Sequence, residues 1–208
     1  MPQILEHPAA VDRDFLPLNG TDYVEFYVGN ARQAAHYYRT AFGFRLVAYR
    51  GPETGTRDQA SYVLVEDKIR FVLTTPLSPD HPVTDHIRLH GDGVHDIALW
   101  VDDAESAWRE TTQRGARSVR EPETLRDEHG EARIASIATY GDTIHTFVER
   151  RNYRGVFLPG FTPTAGEDSL ARPVGLKGAV RRVAVGQVSP RAELRLLSRP
   201  RLCQARFR

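Results

Sequence analysis

The chain has 208 residues, 40% of them hydrophobic and 26% charged, with a formal net charge of +1. These are ordinary globular values, and a single cysteine, Cys203, rules out an intramolecular disulfide framework. No stretch is apolar for long enough to span a bilayer, and the opening Met1-Pro2-Gln3-Ile4-Leu5-Glu6 lacks the basic start and apolar run of a secretory leader, so a cytoplasmic, non-membrane protein is expected.

In chain order, Tyr23 to Val28 contains branched and aromatic side chains suited to a pleated strand. Asn30 is placed to cap a helix in which Ala34, Ala35, Tyr38 and Phe42 recur at helical spacing, and Gly43 is placed to end it. Strands are expected at Leu46 to Tyr49, Ser61 to Val65 and Arg70 to Thr74, with Asp67-Lys68 as a hairpin turn. A short helix is expected over Thr84 to Leu89. The pattern then starts again. His95 to Val101 reads as a strand, Asp102 or Asp103 as the cap of a helix around Trp108, and Gly115 as its end. Arg117 to Arg120, Ala132 to Tyr140 and Thr143 to Glu149 follow as strands, the last two joined at Gly141-Asp142. Each copy is strand, helix and three strands. One such unit cannot cover its own sheet, so the two are expected to share one curved eight-stranded surface.

The repeated βαβββ unit resembles the vicinal-oxygen-chelate superfamily, an α+β fold whose paired modules form one curved mixed sheet with outer helices. The segments Val28-Gly29-Asn30-Ala31-Arg32-Gln33-Ala34-Ala35-His36-Tyr37-Tyr38, Ala60-Ser61-Tyr62-Val63-Leu64, His90-Gly91-Asp92-Gly93-Val94, Asp127-Glu128-His129-Gly130, Ala138-Thr139-Tyr140-Gly141 and Leu158-Pro159-Gly160-Phe161 are similar to the N-terminal half of the bacterial 4-hydroxyphenylpyruvate dioxygenase family. The resemblance spans roughly residues 15 to 177. Hydroxymandelate synthase shares the layout and is the competing assignment.

The resemblance implies an intact family that uses Fe(II) and dioxygen to convert a 2-oxo acid of tyrosine catabolism to homogentisate. It also implies that the two histidines and one glutamate holding iron belong to a C-terminal domain, and that this chain is the silent N-terminal duplicate, inactive alone. A ferrous oxygenase centre needs two imidazoles and a carboxylate facing one point. The module positions that would carry ligands hold Tyr23, its repeat equivalent Asp96, and Thr146, which do not make that triad. His95 and His145 each lie one residue away and are expected on the opposite strand face. A one-residue slip would bring them back. No catalytic, cofactor-binding or metal-binding residue is therefore assigned.

Other clusters have structural readings. His81, His86 and His90 lie between the modules, the last two at i, i+4 spacing, which without a third ligand is a solvated helix face. Gly91-Asp92-Gly93 is a turn rather than a phosphate loop, and Asp127-Glu128-His129-Gly130 a hairpin.

The expected organisation is an N-terminal extension at 1–19, a paired domain at 20–161 with modules at about 21–76 and 93–150, a linker at 162–177, and a basic, disordered tail at 178–208. Residues 1–170 carry 18 basic and 26 acidic side chains, and residues 171–208 carry 10 and one. Three accounts of the tail are open: polyanion binding, plain disorder, and a reading-frame change. The chain has 26 arginines and two lysines, which points to GC-rich coding, and out-of-frame GC-rich codons yield the Arg, Ala, Gly, Pro and Val found here. The frame change is the favoured account. No nucleic-acid or membrane partner is expected, while homo-oligomerisation through exposed apolar surface is. A free-standing small-molecule binding protein, holding its ligand in the concave face of the sheet, is the alternative function.

Overall fold

The computed structural model describes residues 14–167. The first module comprises β1 (Gly20–Tyr27), α1 (Ala31–Phe42), β2 (Arg45–Arg50), β3 (Gln59–Glu66) and β4 (Ile69–Pro76). A connecting helix α2 (Pro82–His90) leads into the second module of β5 (Gly93–Trp100), α3 (Ala104–Gln113), β6 (Ser118–Asp127), β7 (Gly130–Ala138) and β8 (Ile144–Glu149). A last strand, β9 (Thr162–Glu167), follows. The strands form one sheet in the order β6-β7-β8-β5-β1-β4-β3-β2-β9.

The local chemistry behind these elements is the expected one. Asn30 and Asp103 accept from the backbone N–H groups of Gln33 and Ser106, so each module's helix starts on a side-chain cap. Gly43 ends α1 with φ 79°, a left-handed conformation in which a β-carbon is strained, and its N–H returns to the Tyr38 carbonyl.

Each helix packs its apolar stripe on the outer face of its own module. Ala31 and Ala35 of α1 meet Phe44, Leu64, Phe71 and Leu73, while Ala104 and Ala107 of α3 meet Leu99, Ile137 and Phe147. The modules join along a seam in which β1 pairs antiparallel with β5, while β1 and β5 each pair parallel with the last strand of their own module, β4 and β8. The inner face of the sheet carries a third apolar cluster that includes Tyr23, Val72, Ile134, Phe157 and Leu158.

The segment after β8 is locked down by charge. Asp22, with its side chain 3% exposed, accepts from Arg150 Nε at 2.6 Å and Arg70 Nη1 at 3.2 Å. Arg150 also donates to the Phe157 carbonyl, which fixes the exit loop over the inner face. Phe157 there meets Tyr23 edge-on at 5.3 Å and Phe161 at 4.8 Å.

Three boundaries differ from the sequence reading. Strand β6 continues past Arg120 to Asp127, because β7 offers it a full-length partner and register shifts between Ser118 and Arg120 and between Arg120 and Glu123 accommodate Pro122. The stretch read as linker from residue 162 begins as β9, which pairs antiparallel with β2 and covers that strand's open side. The extension before residue 20 also contributes to the core: Leu16 is buried among the residues under α3, and the Asn19 N–H bonds the Trp100 carbonyl at 2.9 Å. Residues 1–13, the rest of the expected linker, the basic tail and Cys203 lie outside the described residues.

Candidate functional site

The inner face of the sheet encloses a cavity of about 420 Å³ at the seam between the modules. The seam has a strict internal correspondence. Ser61 sits directly across from Thr74, and Ser136 directly across from Thr146, in both cases with hydroxyl oxygens 2.8 Å apart. Thr74 donates to Glu25 Oε1 at 2.6 Å, and the Thr146 N–H donates to Asp96 Oδ1 at 3.0 Å. Glu25 and Asp96 are themselves register partners across β1 and β5. Each module thus presents a carboxylate, a threonine and a serine from its first, last and third strands. An arginine from the second strand of each module, Arg50 and Arg120, completes the lining.

This register revises the assignment of Tyr23 as the counterpart of Asp96. Thr74 is level with Tyr27, two residues after Glu25, and Thr146 falls level with Ala98, two residues after Asp96. Glu25 is therefore the counterpart of Asp96. Tyr23 pairs with Ala98 and reaches the site through its hydroxyl, which donates to Asp96 Oδ2 at 3.2 Å.

Burial controls the titration of this network. Loss of solvent pushes the Asp96 carboxyl up to about 7, against the hydrogen bond from Thr146, with the Glu25 charge adding to the rise. Glu25 is raised by burial and held back by Thr74, Arg50 and Arg120. Tyr23 is raised well above the usual phenol range, first by burial and then by Asp96. Burial lowers Arg50, while the Glu25 charge opposes that shift.

The histidines divide. His145 is 2% exposed, and its Nδ1 lies 2.8 Å from the Ile97 carbonyl, away from the cavity that Thr146 lines. That agrees with the expected alternation. His95 departs from it. Glu25 pairs with Asp96 but Phe26 pairs with Val94, so His95 is the extra residue of a bulge and lines the cavity beside Asp96. Its ring stacks on Tyr27 at 4.0 Å and lies 5.0 Å from His86. Burial, followed by the His86 charge, lowers His95 to about 4. His86 is 4.7 Å from His90, whose Nε2 lies 2.7 Å from Asp142. The helix-face pair thus has a third imidazole beside it, which spacing alone did not reveal. His81 caps α2 by accepting from the Val83 N–H.

Two other motifs are structural. Asp92 accepts from the Gly29 N–H and ties α2's exit to the end of β1, and Asp127, at the β6–β7 turn, accepts from Tyr153 Oη of the exit segment at 2.8 Å.

Iron does not fit this lining. The module positions hold Glu25, Thr74, Asp96 and Thr146, with the two carboxylates bonded to the two threonines, and a single histidine, His95, lines the cavity where a facial triad needs two. Among the described residues, no group of three or more His, Cys, Asp or Glu is arranged to hold a metal ion. No helix there is long and apolar enough to cross a membrane.

Paired βαβββ modules around a polar cleft define a known class. Residues 20–142 match the family described as Glyoxalase/Bleomycin resistance protein/Dioxygenase superfamily, and the chain belongs to it. Within that class, the chain is 47% identical over 164 residues to a 4-hydroxyphenylpyruvate dioxygenase of Dictyostelium discoideum, covering 76% of this chain and 45% of that protein. A 4-hydroxyphenylpyruvate dioxygenase of Pyricularia oryzae is 44% identical over 170 residues, covering 73% of this chain and 41% of its own length. The chain thus spans less than half the length of these curated relatives and is, over that span, a partial member of the 4-hydroxyphenylpyruvate dioxygenase family. Among solved structures, a mutant of 4-hydroxymandelate synthase from Streptomyces coelicolor superposes with a TM-score of 0.64 at 29% identity, covering 72% of this chain and 43% of that one. A methylmalonyl-CoA epimerase from Mycobacterium tuberculosis, at 21% identity and TM-score 0.53, covers 68% of this chain and 92% of its own, and shares the fold.

Proposed function

We propose that this chain corresponds to the N-terminal, iron-free domain of a 4-hydroxyphenylpyruvate dioxygenase-family protein and does not turn over 4-hydroxyphenylpyruvate by itself. The observation that carries this reading is the occupancy of the seam. Where a facial triad needs two imidazoles and a carboxylate, Glu25–Thr74 and Asp96–Thr146 are bonded into their own modules. The Fe(II) of the intact family would then be held by residues outside this span. A cytoplasmic setting and self-association through exposed apolar side chains such as Leu89 and Trp100 belong to the same reading.

The test is oxygen consumption by the purified chain with Fe(II) and 4-hydroxyphenylpyruvate. No rate above the metal-free control is expected. Iron-dependent turnover, or stoichiometric Fe(II) binding lost in His95→Ala or His145→Ala, would overturn the proposal.

A further inference from the structure

The site has a feature that a purely scaffolding domain does not need. Two guanidinium groups, one from each module, face the same cavity. Like charges brought together in a partly dry space repel, and the charge of Arg120 acts on Arg50 in that sense. The Glu25 charge opposes this repulsion, yet burial still leaves Arg50 lowered. Asp96 has both oxygens engaged, by Tyr23 and the Thr146 N–H, and Glu25 has Oε1 engaged by Thr74. The Arg50 Nε is buried with no hydrogen-bond partner, although a buried donor is costly to leave unmet. Part of the remaining wall is apolar. The guanidinium of Arg50 lies 4.6 Å over the Phe161 ring, and Phe157, Leu158 and Leu125 also line the space. At about 420 Å³ the cavity falls within the range of small-molecule sites, roughly 300–1,000 Å³.

We propose that this cavity is a binding site for a small organic anion, whose carboxylate sits between Arg50 and Arg120 and whose apolar body lies against Phe157, Leu158 and Phe161. Arginine is suited to the task because its fork of donors matches the two oxygens of a carboxylate. The acids set the pH dependence. An anion beside Glu25 favours its protonated form, so binding takes up a proton, and affinity weakens as pH rises while Glu25 ionises. The other charged and titratable groups facing the cavity are Asp96 and Tyr23 beside Glu25, and His95 and Tyr27 at the end of the β1–β5 seam. Asp96 pushes in the same direction as Glu25.

This inference stands apart from the family assignment, because the dioxygenase assay reads turnover and the following experiment reads binding. The full chain is titrated with benzoate and, separately, with inorganic phosphate, by calorimetry and by shift of the thermal midpoint. Benzoate is expected to bind saturably and more tightly at about pH 6 than at about pH 8, and phosphate to bind much more weakly. Arg50→Gln and Arg120→Gln should each weaken benzoate about tenfold or more, the worth of a charged hydrogen bond. Arg154→Gln, at an exposed arginine of the exit loop, should leave the affinity unchanged. If Arg50→Gln fails to fold, Arg120→Gln carries the measurement alone. Absence of saturable benzoate binding, or affinity unchanged in the folded arginine variants, overturns the site. Phosphate binding as tightly as benzoate overturns the organic ligand.

Discussion

Phe157 offers the sharpest check on how the exit loop is held. It is 2% exposed, meets Tyr23 and Phe161 edge-on, and has Arg70 and Arg150 each 5.7 Å from its ring centroid. A buried aromatic side chain removes about 150–250 Å² from water, which at roughly 25 cal/mol per Å² is about 4–6 kcal/mol. Alanine keeps the β-carbon, and one side of Phe157 faces the cavity, where water can follow the lost ring. Phe157→Ala should therefore cost about 3–4 kcal/mol, the lower half of the usual range for such truncations. Phe157→Leu should cost less, since it refills much of the volume and loses the ring contacts alone. Urea unfolding gives the measurement: the midpoint should fall with the slope unchanged. A loss below about 1 kcal/mol, the size of an ordinary substitution, would mean that the exit loop lies on the domain without belonging to its core.

The ion cluster beneath that loop should be at least as sensitive. Asp22→Ala strips the carboxylate from two part-buried arginines and should cost about 3–5 kcal/mol in the same urea assay, with a near-neutral result refuting the clamp. Asp96 should make stability depend on pH. Its folded value near 7 lies above that of an unfolded aspartate, so its carboxylate destabilises the fold progressively as pH rises from about 4 to about 7. His95, lowered to about 4, acts in the opposite direction over part of this window, so the comparison must be between variants. Asp96→Asn should gain on the wild type as pH rises through that window and then level off. Parallel pH curves would show that Asp96 is not held in a dry site.

Much of the fold was legible in the sequence because its signals are local. Asn30, Asp103 and Gly43 act within one helical turn, and the branched and aromatic residues of Tyr23 to Val28 and His95 to Val101 need only a strand. The seam was harder to read. That Glu25 lies opposite Asp96 depends on the antiparallel pairing of two strands a module apart, and the bulge at His95 shifts that pairing by one residue. A search for two histidines and a carboxylate therefore chose Tyr23 and passed over Glu25. A usable signal was present: each module's first strand carries a carboxylate among branched and aromatic residues, Glu25 in one and Asp96 in the other. Arg50 and Arg120 gave no comparable sign, since a strand-end arginine is ordinarily solvated and their convergence is a product of sheet curvature. Strand β9 was read as linker because Pro163 and Gly166 interrupt it, and its existence depends on the open side of β2 being there to receive it.

The two rims of the sheet have a consequence for how copies of this protein can meet. An exposed strand edge is a template on which another chain can add and propagate. Among the described residues the outermost strands are β6 and β9. β6 contains Pro122, which offers no N–H, along with two register breaks and the charged run Arg120, Glu121, Glu123 and Arg126. β9 contains Pro163 near its start. A flat ribbon of hydrogen bonds cannot extend past either rim without meeting a proline. Strand addition is thus disfavoured at both of these rims, which leaves the helical faces and loops as the easier ground for contact between copies.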